Sequence, residues 1–590
     1  MTGLDRSTIL PEPELPSGSE LLAEGRSLAQ VFTVGQCPFL TTHGVSSESE
    51  YKRRRMAEKA LMFHAQFGFR SLEKSRRAYA EISERVAAAG YRVDRYGICL
   101  DWSMGYPAAE RTGMPHGTGL ILDSPEAFEA LTHGAPVAPH FGDFVIGMPS
   151  AVENTGAALA AGSTAIGNLG QYFTFKLPRW DDDTGTTAET VKALAMCAGQ
   201  SVEVLIHSNL DDGFAAMFTD LACGIGMVLI ERVIVEELVG GTVSHCYGHT
   251  FSDPLSRLAF QRALARVTDT PGSMVYGNTT IYVADQVQNY ANLASYLLVD
   301  VVAQGIEPTG HALNPVPVTE ALRIPEVDEI VDAHLFANRL ALRAGGFETL
   351  FDQERAEAIA DRLVEGGHRF KQRVLEGLAD AGIDTEDPFE LLLALRRLGA
   401  RRLEALWGPG EPQEGAPRGR VPVVKATTVA ALESQGKGVV AALEVTHREE
   451  IGRARLTACV TSTDVHEYGK ILVEAVLGHL GVEVVDAGVS ADPEEVAERA
   501  CGAAADLVAV STYSGIALRY LTELKEAMKR IGCDIPIFVG GKLNEVPEGS
   551  PSSLPEDVTR QLEELGAVVC LRVEDLLGRL VEIAKEANRA

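Results

Sequence analysis

Arg455-Leu456-Thr457-Ala458-Cys459-Val460 is an apolar run. Thr463-Asp464-Val465-His466-Glu467-Tyr468-Gly469-Lys470 follows it closely, before a helical pattern over Lys470–Leu480. The alternation continues to the end of the chain. Strand-like runs lie at Arg455–Val460, Val482–Val485, Leu507–Val510, Ile535–Val539 and Ala567–Leu571. Helical patterns alternate with them at Lys470–Leu480, Pro493–Cys501, Ala517–Ile531, Pro555–Leu565 and Val573–Ala587. Strands apolar on both faces must be covered on both, so this pattern predicts a parallel, doubly wound α/β sheet. Its size fits the flavodoxin-like (Rossmann-like) strand order 2-1-3-4-5.

Three polar motifs fall at the strand ends. His466 follows the first strand. Ser511-Thr512-Tyr513 follows the third, after the 41 residues 470–510, and Gly540-Gly541 follows the fourth, after the 26 residues 514–539. In that strand order these strands are neighbours, and such sheets bind ligands at their carboxyl ends. A histidine alone in a strand-to-helix turn reads as an ordinary polar loop residue. Three motifs at one edge of one sheet call for a shared ligand.

Upstream, Gly408–Pro422 packs Gly and Pro too densely for a helix or strand interior and reads as a linker. It separates residues 423–590 from a longer N-terminal part. There, strand-like runs recur near Tyr96–Asp101, Gly119–Leu122, Asp143–Met148, Thr164–Asn168, Val202–His207, Thr242–Cys246, Met274–Tyr276 and Gly310–Asn314. Helical stretches such as Gly213–Val239 intervene. The pattern predicts a (β/α)8 TIM-like barrel over residues 91–345. Residues 1–90 read as an extension with a helical lead-in over Glu48–Gly90. Residues 346–407 read as three further helices before the linker at 408–422.

The 590 residues exceed one ordinary core, and 46% hydrophobic with 23% charged residues is the balance of a folded soluble protein. The net charge of −29 argues against nucleic acid and anionic membrane as partners. Met1–Gln30 shows no secretory signal, and no 18-residue apolar run appears. Nine cysteines without a Cys-x-x-Cys fit a reducing cytoplasm rather than a disulfide scaffold or zinc knuckle. No phosphate loop, nucleophile elbow or dinucleotide fingerprint is present.

The Asp464-x-His466-x-x-Gly469 motif, Ser511-x-Tyr513 and Gly540-Gly541 resemble the cobalamin-binding domain shared by B12-dependent mutases and corrinoid methyltransferases. Tyr513 stands where that family has leucine. The resemblance implies a base-off cobalt corrinoid with His466 as the metal's lower ligand. The implied corrinoid contacts are Thr463, Asp464, Val465, His466, Gly469, Ser511, Tyr513, Gly540 and Gly541. An imidazole is a good cobalt ligand, and Asp464 can accept its second N–H and fix its orientation.

Both reaction classes use this domain, so its neighbour carries the distinction. The barrel resembles the catalytic subunit of the glutamate mutase family, best at Gly147-Met148-Pro149-Ser150, Ala161-Gly162-Ser163-Thr164 and Thr319-Glu320-Ala321-Leu322-Arg323-Ile324-Pro325. That resemblance implies adenosylcobalamin as cofactor, with Glu320 contacting the adenosyl ribose. It also implies a barrel closing over the corrinoid's upper face. The family's lysine four positions earlier is Val316. Two of its three substrate-gripping arginines fall on Val145-Ile146 and Ser103–Tyr106. Its glutamate for the substrate amine falls on Gly167, and its tyrosine on Phe173. Glutamate is therefore not the expected substrate; a smaller or less charged acid, or an amine, is.

Other polar groups at predicted strand ends are His207-Ser208-Asn209 with Asp211 and Asp212, His245 with His249, Asn278, and His311 with Asn314. His207, His245 and His311 join Glu320 as catalytic candidates, and His116 is left undecided between site and loop. The reading is an adenosylcobalamin-dependent carbon-skeleton mutase acting on a small molecule and forming a homo-oligomer, taken as a dimer. The alternatives are a corrinoid-dependent methyltransferase and a non-catalytic B12 carrier or sensor.

Overall fold

The computed structural model describes residues 4–211, 218–248, 253–277, 282–464, 466–547 and 554–589. The chain divides into two compact units, one running to Thr427 apart from two short segments, the other chiefly Thr428–Ala590.

The first unit is built on eight parallel strands: β1 Met62–Phe67, β2 Arg95–Ile98, β3 Ala138–Phe141, β4 Ala165–Ile166, β5 Leu205–Asn209, β6 Thr242–Tyr247, β7 Met274–Val275 and β8 Ala312–Leu313. They pair in the order β7-β6-β5-β4-β3-β2-β1-β8, a nearly closed barrel sheet. Among the described residues no backbone ladder joins β7 to β8. A side chain spans that seam: the Val275 N–H donates to His311 Nδ1 at 3.1 Å.

Before β1 comes α1 (Glu48–Ala57). The helices after the eight strands are α2 Leu72–Ala88, α3 Pro125–Thr132, α4 Ala151–Ala160, α5 Asp183–Ala198, α6 Leu221–Arg232, α7 Pro254–Val267, α8 Gln286–Ile306 and α9 Val327–Arg343. Phe63 of β1 and Leu313 of β8 pack outward with Leu293 and Leu297 of α8. By the period-two rule, Met62, His64 and Gln66 then face the lumen.

The eight strands are not quite those expected. β1 lies inside Glu48–Gly90, which reads as helical, so the barrel sheet begins before residue 91. A short strand whose lumen side is polar (His64, Gln66) between two helices offers little alternation to see. Gly119–Leu122 contributes only a bridge between Leu120 and Leu100. The strand expected at Asp143–Met148 ends two residues before it, at Phe141. Of the helix expected over Gly213–Val239, residues 213–217 lie outside the described residues; among those described it begins at Leu221, where the Asp220 carboxylate accepts the Ala222 N–H at 3.0 Å.

α1 closes the amino end of the barrel. Lys52 Nζ donates to the Gly310 carbonyl at 2.9 Å, and Arg95 Nε lies 2.9 Å from Glu48 Oε1. All three charged side chains are buried. Stranding either cation would cost several kcal/mol, on the order of the 3–5 kcal/mol for breaking a buried pair.

After the barrel come α10 (Gln353–Asp380) and α11 (Pro388–Trp407), the latter broken at Gly399, whose φ is +67°. The break divides α11 into two helical stretches. Gly408–Pro422 is irregular, as its composition demands, but it is strapped down. The Arg420 guanidinium donates to the carbonyls of Ala405, Leu406 and Gly410 at 2.7–3.1 Å. The Asp220 carboxylate takes the N–H groups of Val423 and Val424 just beyond.

The second unit opens with α12 (Thr427–Ala441) and α13 (Val445–Ala454). Its strands are β9 Thr457–Ser462, β10 Glu483–Val489, β11 Leu507–Thr512, β12 Ile537–Gly541 and β13 Val568–Cys570. They are parallel in the order β10-β9-β11-β12-β13, the expected 2-1-3-4-5. The helices that follow them are α14 Tyr468–His479, α15 Pro493–Gly502, α16 Ala517–Ile531, α17 Thr559–Glu564 and α18 Val573–Ala587. Alternate residues of each strand go to two separate cores. Val508, Val510, Ile537 and Val539 pack under α15 and α16, while Leu507, Ala509 and Phe538 pack under α14 and α18. That two-sided burial is why the strands read as continuous apolar runs.

Candidate functional site

In the second unit the three motifs meet as the strand order requires. The Thr463 N–H donates to the Ser511 carbonyl at 2.9 Å, drawing the end of β9 against β11. Asp464 is the hub. Its Oδ2 accepts from Thr463 Oγ1 at 3.0 Å and from the backbone N–H groups of Tyr513 and Ser514 at 3.2 and 3.0 Å. Its Oδ1 accepts from the His466 N–H at 3.0 Å and pairs with His466 Nδ1. Burial alone would raise this carboxyl, but the imidazole and the converging donors outweigh it and hold the acid at about 2.

Asp464 therefore stays ionised and fixes the N–H of His466 on Nδ1, leaving the lone pair on Nε2. The ring is about one-quarter exposed and stacks on Tyr513, centroids 4.0 Å apart at 29°. Lys542 Nζ lies 3.9 Å from the other ring's centroid. Tyr513, the one departure from the family pattern, is thus a ring beside the ligand imidazole.

The motif glycines serve close packing between the motifs. A Cβ on Gly469 would stand 2.4 Å from Ser511 Oγ, and one on Gly541 (φ +102°) 2.2 Å from the Thr512 carbonyl. Their close neighbours are the other motifs, so they let the three loops touch one another. Val465 lies outside the described residues. An imidazole held by a carboxylate at Nδ1, on the carboxyl edge of a doubly wound sheet, fits a corrinoid cobalt.

Residues 455–572 match the B12 binding domain family. The C-terminal unit is a B12-binding domain. Cobalamin is accordingly its cofactor. The chain is also similar to the methionine synthase of Mycobacterium tuberculosis (strain ATCC 25618 / H37Rv), 25% identical over 190 residues. That likeness covers 31% of this chain and only 15% of that enzyme. Among solved structures, a novel cobalamin-binding protein from Desulfitobacterium hafniense DCB-2 aligns with 38% of this chain and 93% of its own, at 17% identity. Its TM-score of 0.20 is too low to speak for a shared fold.

The barrel sorts the remaining candidates. His207 on β5 points into the lumen, its ring centroid 4.8 Å from that of His140 on β3, edge to face. Burial, then the charge of Arg95, pushes the His207 imidazole well below its ordinary value, so it is neutral. His64 of β1, a third lumen histidine, accepts from Arg95 at Nδ1 at 3.0 Å and is neutral for the same reasons.

His245 is a correction. It faces outward, its Nε2 3.0 Å from Glu231 of α6, fully buried in the barrel wall. His311 is another: it closes the β7–β8 seam through Val275. His311 precedes β8 and so lies on its amino side, away from the mouth, whereas for His245 the reason is strand phase. Position near a strand end does not settle which face a residue takes; one step along a strand reverses it. His249, Asp212 and Asn278 lie outside the described residues.

Glu320 sits half-buried in a turn after β8, and its charge helps raise the nearby Tyr282. At the carboxyl end of β1, Gln66 accepts from the Tyr276 hydroxyl. The ends of β3, β4 and β5 carry a further connected set of polar side chains. Asp143 follows β3 and accepts a side-chain hydrogen bond from Asn168, which follows β4. The Asn168 Oδ1 takes the Asn209 N–H of β5 at 2.7 Å. Burial pushes the Asp143 carboxyl up to about 6, with only the Asn168 amide opposing it. Placing the third strand at Asp143–Met148 hid this residue: in the strand it is ordinary, at the strand's end it is a mouth residue.

Among the described residues no group of histidines, cysteines and carboxylates is arranged to hold a metal ion directly. No described helix is long and apolar enough to cross a membrane.

Proposed function

We propose that this chain is a cobalamin-dependent enzyme that holds its corrinoid through His466 and an organic substrate at the carboxyl end of the barrel. The observation that carries the corrinoid half is the Asp464–His466 pair joined to Ser511 and Tyr513. The bound cofactor would supply a cobalt–carbon bond that can be broken to transfer a group or to generate a radical. The residues' own work is narrower. Asp464 orients His466, and the lumen histidines and amides of the barrel fix a substrate away from bulk water.

For the group on cobalt, methyl is the first reading, supported by the likeness to methionine synthase. A second reading, radical isomerisation with an adenosyl group, is supported by the Thr319–Pro325 turn that carries Glu320. Loading the full chain with methylcobalamin or with adenosylcobalamin separates them. The methyl reading expects demethylation of methylcobalamin by an acceptor and no use of the adenosyl form. Turnover confined to adenosylcobalamin, with a substrate-dependent cobalt(II)–radical signal, would overturn it in favour of the second. In either case L-glutamate and threo-3-methylaspartate should interconvert poorly. Loss of two guanidinium contacts weakens binding by about 3–6 kcal/mol.

A further inference from the structure

Three consecutive strand ends carry one connected set of acceptors. Asp143 after β3 is bonded to Asn168 after β4, and Asn168 to the backbone of Asn209 at the end of β5. Asn168 Nδ2 also reaches the Asn209 carbonyl, at 3.5 Å. Asn209 is more than nine-tenths buried, yet its Oδ1 has no hydrogen-bond partner among the described residues. Two positions earlier His207 faces the lumen, so Asn209 faces it too. A buried acceptor left without a donor is costly, and a native fold keeps one where a ligand supplies the donor.

The sign of the missing partner follows from the neighbours. The segments 142–174 and 204–211 contain no lysine or arginine. The nearest lumen histidines, His140 and His207, are held neutral by burial. The carboxyl of Asp143 is raised by burial, and no cation is among the causes that act on it. The arc thus offers a carboxylate and an amide oxygen, both acceptors, and no fixed positive charge.

We infer that the arc Asp143–Asn168–Asn209 is a subsite for a primary or secondary ammonium group of the substrate. An ammonium carries several N–H donors and one positive charge. It can serve the Asn209 oxygen and the Asp143 carboxylate together and neutralise the latter. A dicarboxylate meets acceptors and an anion there instead. This rests on the reading that the barrel mouth holds the substrate, and it narrows the substrate to an amine.

The test is calorimetric titration of the cobalamin-loaded full chain at pH 7.5. The probes are n-propylamine and ethanolamine on one side, propionate and glutarate on the other. The amines should bind saturably and the acids at least tenfold more weakly. Asp143→Asn, nearly isosteric, should weaken the amines tenfold or more. Asn209→Asp, which adds an anion to the same arc, should tighten them. Preferential binding of the acids, tightened by Asp143→Asn, would overturn the ammonium subsite while keeping the mouth as the substrate site. Amine binding indifferent to Asp143, Asn209 and Glu320 alike would remove the mouth as the site. Absence of amine binding in a chain that still holds cobalamin would refute the inference.

Discussion

Two aspartates follow parallel strands at the carboxyl edges of two different sheets, and their environments drive them in opposite directions. Asp464, after β9, collects four hydrogen-bond donors besides an imidazole and is held at about 2. Asp143, after β3, has one amide and is pushed up to about 6. The strand end supplies the position in both cases; the surrounding donors decide the charge. A carboxylate already saturated by its own protein serves as an orienting group for something else, here His466. One left short of donors is suited to take them from a ligand.

The contrast can be broken most forcefully at His466. His466→Ala should abolish the histidine-nitrogen splitting in the electron paramagnetic resonance spectrum of bound cobalt(II) corrinoid. If the wild type instead shows the cofactor's own base on cobalt, the role given to the Asp464–His466 pair is wrong. Asp464→Asn keeps the imidazole but loses its anchor, so cobalamin affinity should fall about 10–100-fold, measured by equilibrium dialysis.

The two carboxyls should also leave opposite marks on stability. Asp464 is depressed on folding, so its contribution is present above the ordinary 3.8 and is lost as pH falls through about 2. Asp143 is raised, so the folded chain keeps a proton that the unfolded chain gives up. Stability therefore falls as pH rises from 3.8 through about 6 and stays lower above it. Asp143→Asn should then be more stable than wild type at pH 8 by about 1–3 kcal/mol, the full shift discounted for a half-buried group. The difference should close below about pH 4. Denaturant unfolding at the two pH values reads it, and a destabilised variant at pH 8 would mean that Asp143 is structural. The smallest effect is expected from Gly469→Ala. Its loss of corrinoid affinity should be largely restored by adding Ser511→Ala, because the clash is with the Ser511 hydroxyl.

The two units were unequally legible for a physical reason. Strands β9 and β11, and most of β12, are buried on both faces, with β10 and β13 half-buried at the sheet's edges, so they stand out as apolar runs, and their order places His466, Ser511 and Gly540 at one edge with little freedom. The barrel strands are short, down to two residues at β4, β7 and β8, and several carry polar groups toward the lumen. Hydrophobicity alone then misses β1 and shifts β3, and with β3 goes the meaning of Asp143. The outward turn of His245 toward Glu231 depends on a buried partner 14 residues earlier, which no local pattern announces. His207 falls within its strand because Val202–His207 overlaps the observed Leu205–Asn209, although the strand ends two residues later than expected.

The seam between β7 and β8 has a consequence for how the first unit breathes. A barrel closed by ladders all round must break several backbone bonds at once to loosen. Across one joint this barrel has no ladder: the segments leading into β7 and β8 meet through the Gly272 N–H on the Thr309 carbonyl and Thr309 Oγ1 on the Ser273 carbonyl, and the strand itself through the imidazole of His311 on the Val275 amide. Burial keeps that ring neutral, so its Nδ1 can go on accepting through the ordinary pH range. The joint behaves as a latch between two staves. The Val275 amide proton should exchange with solvent faster than its counterparts along β5 and β6, and replacing His311 should spring that joint while the other staves stay zipped.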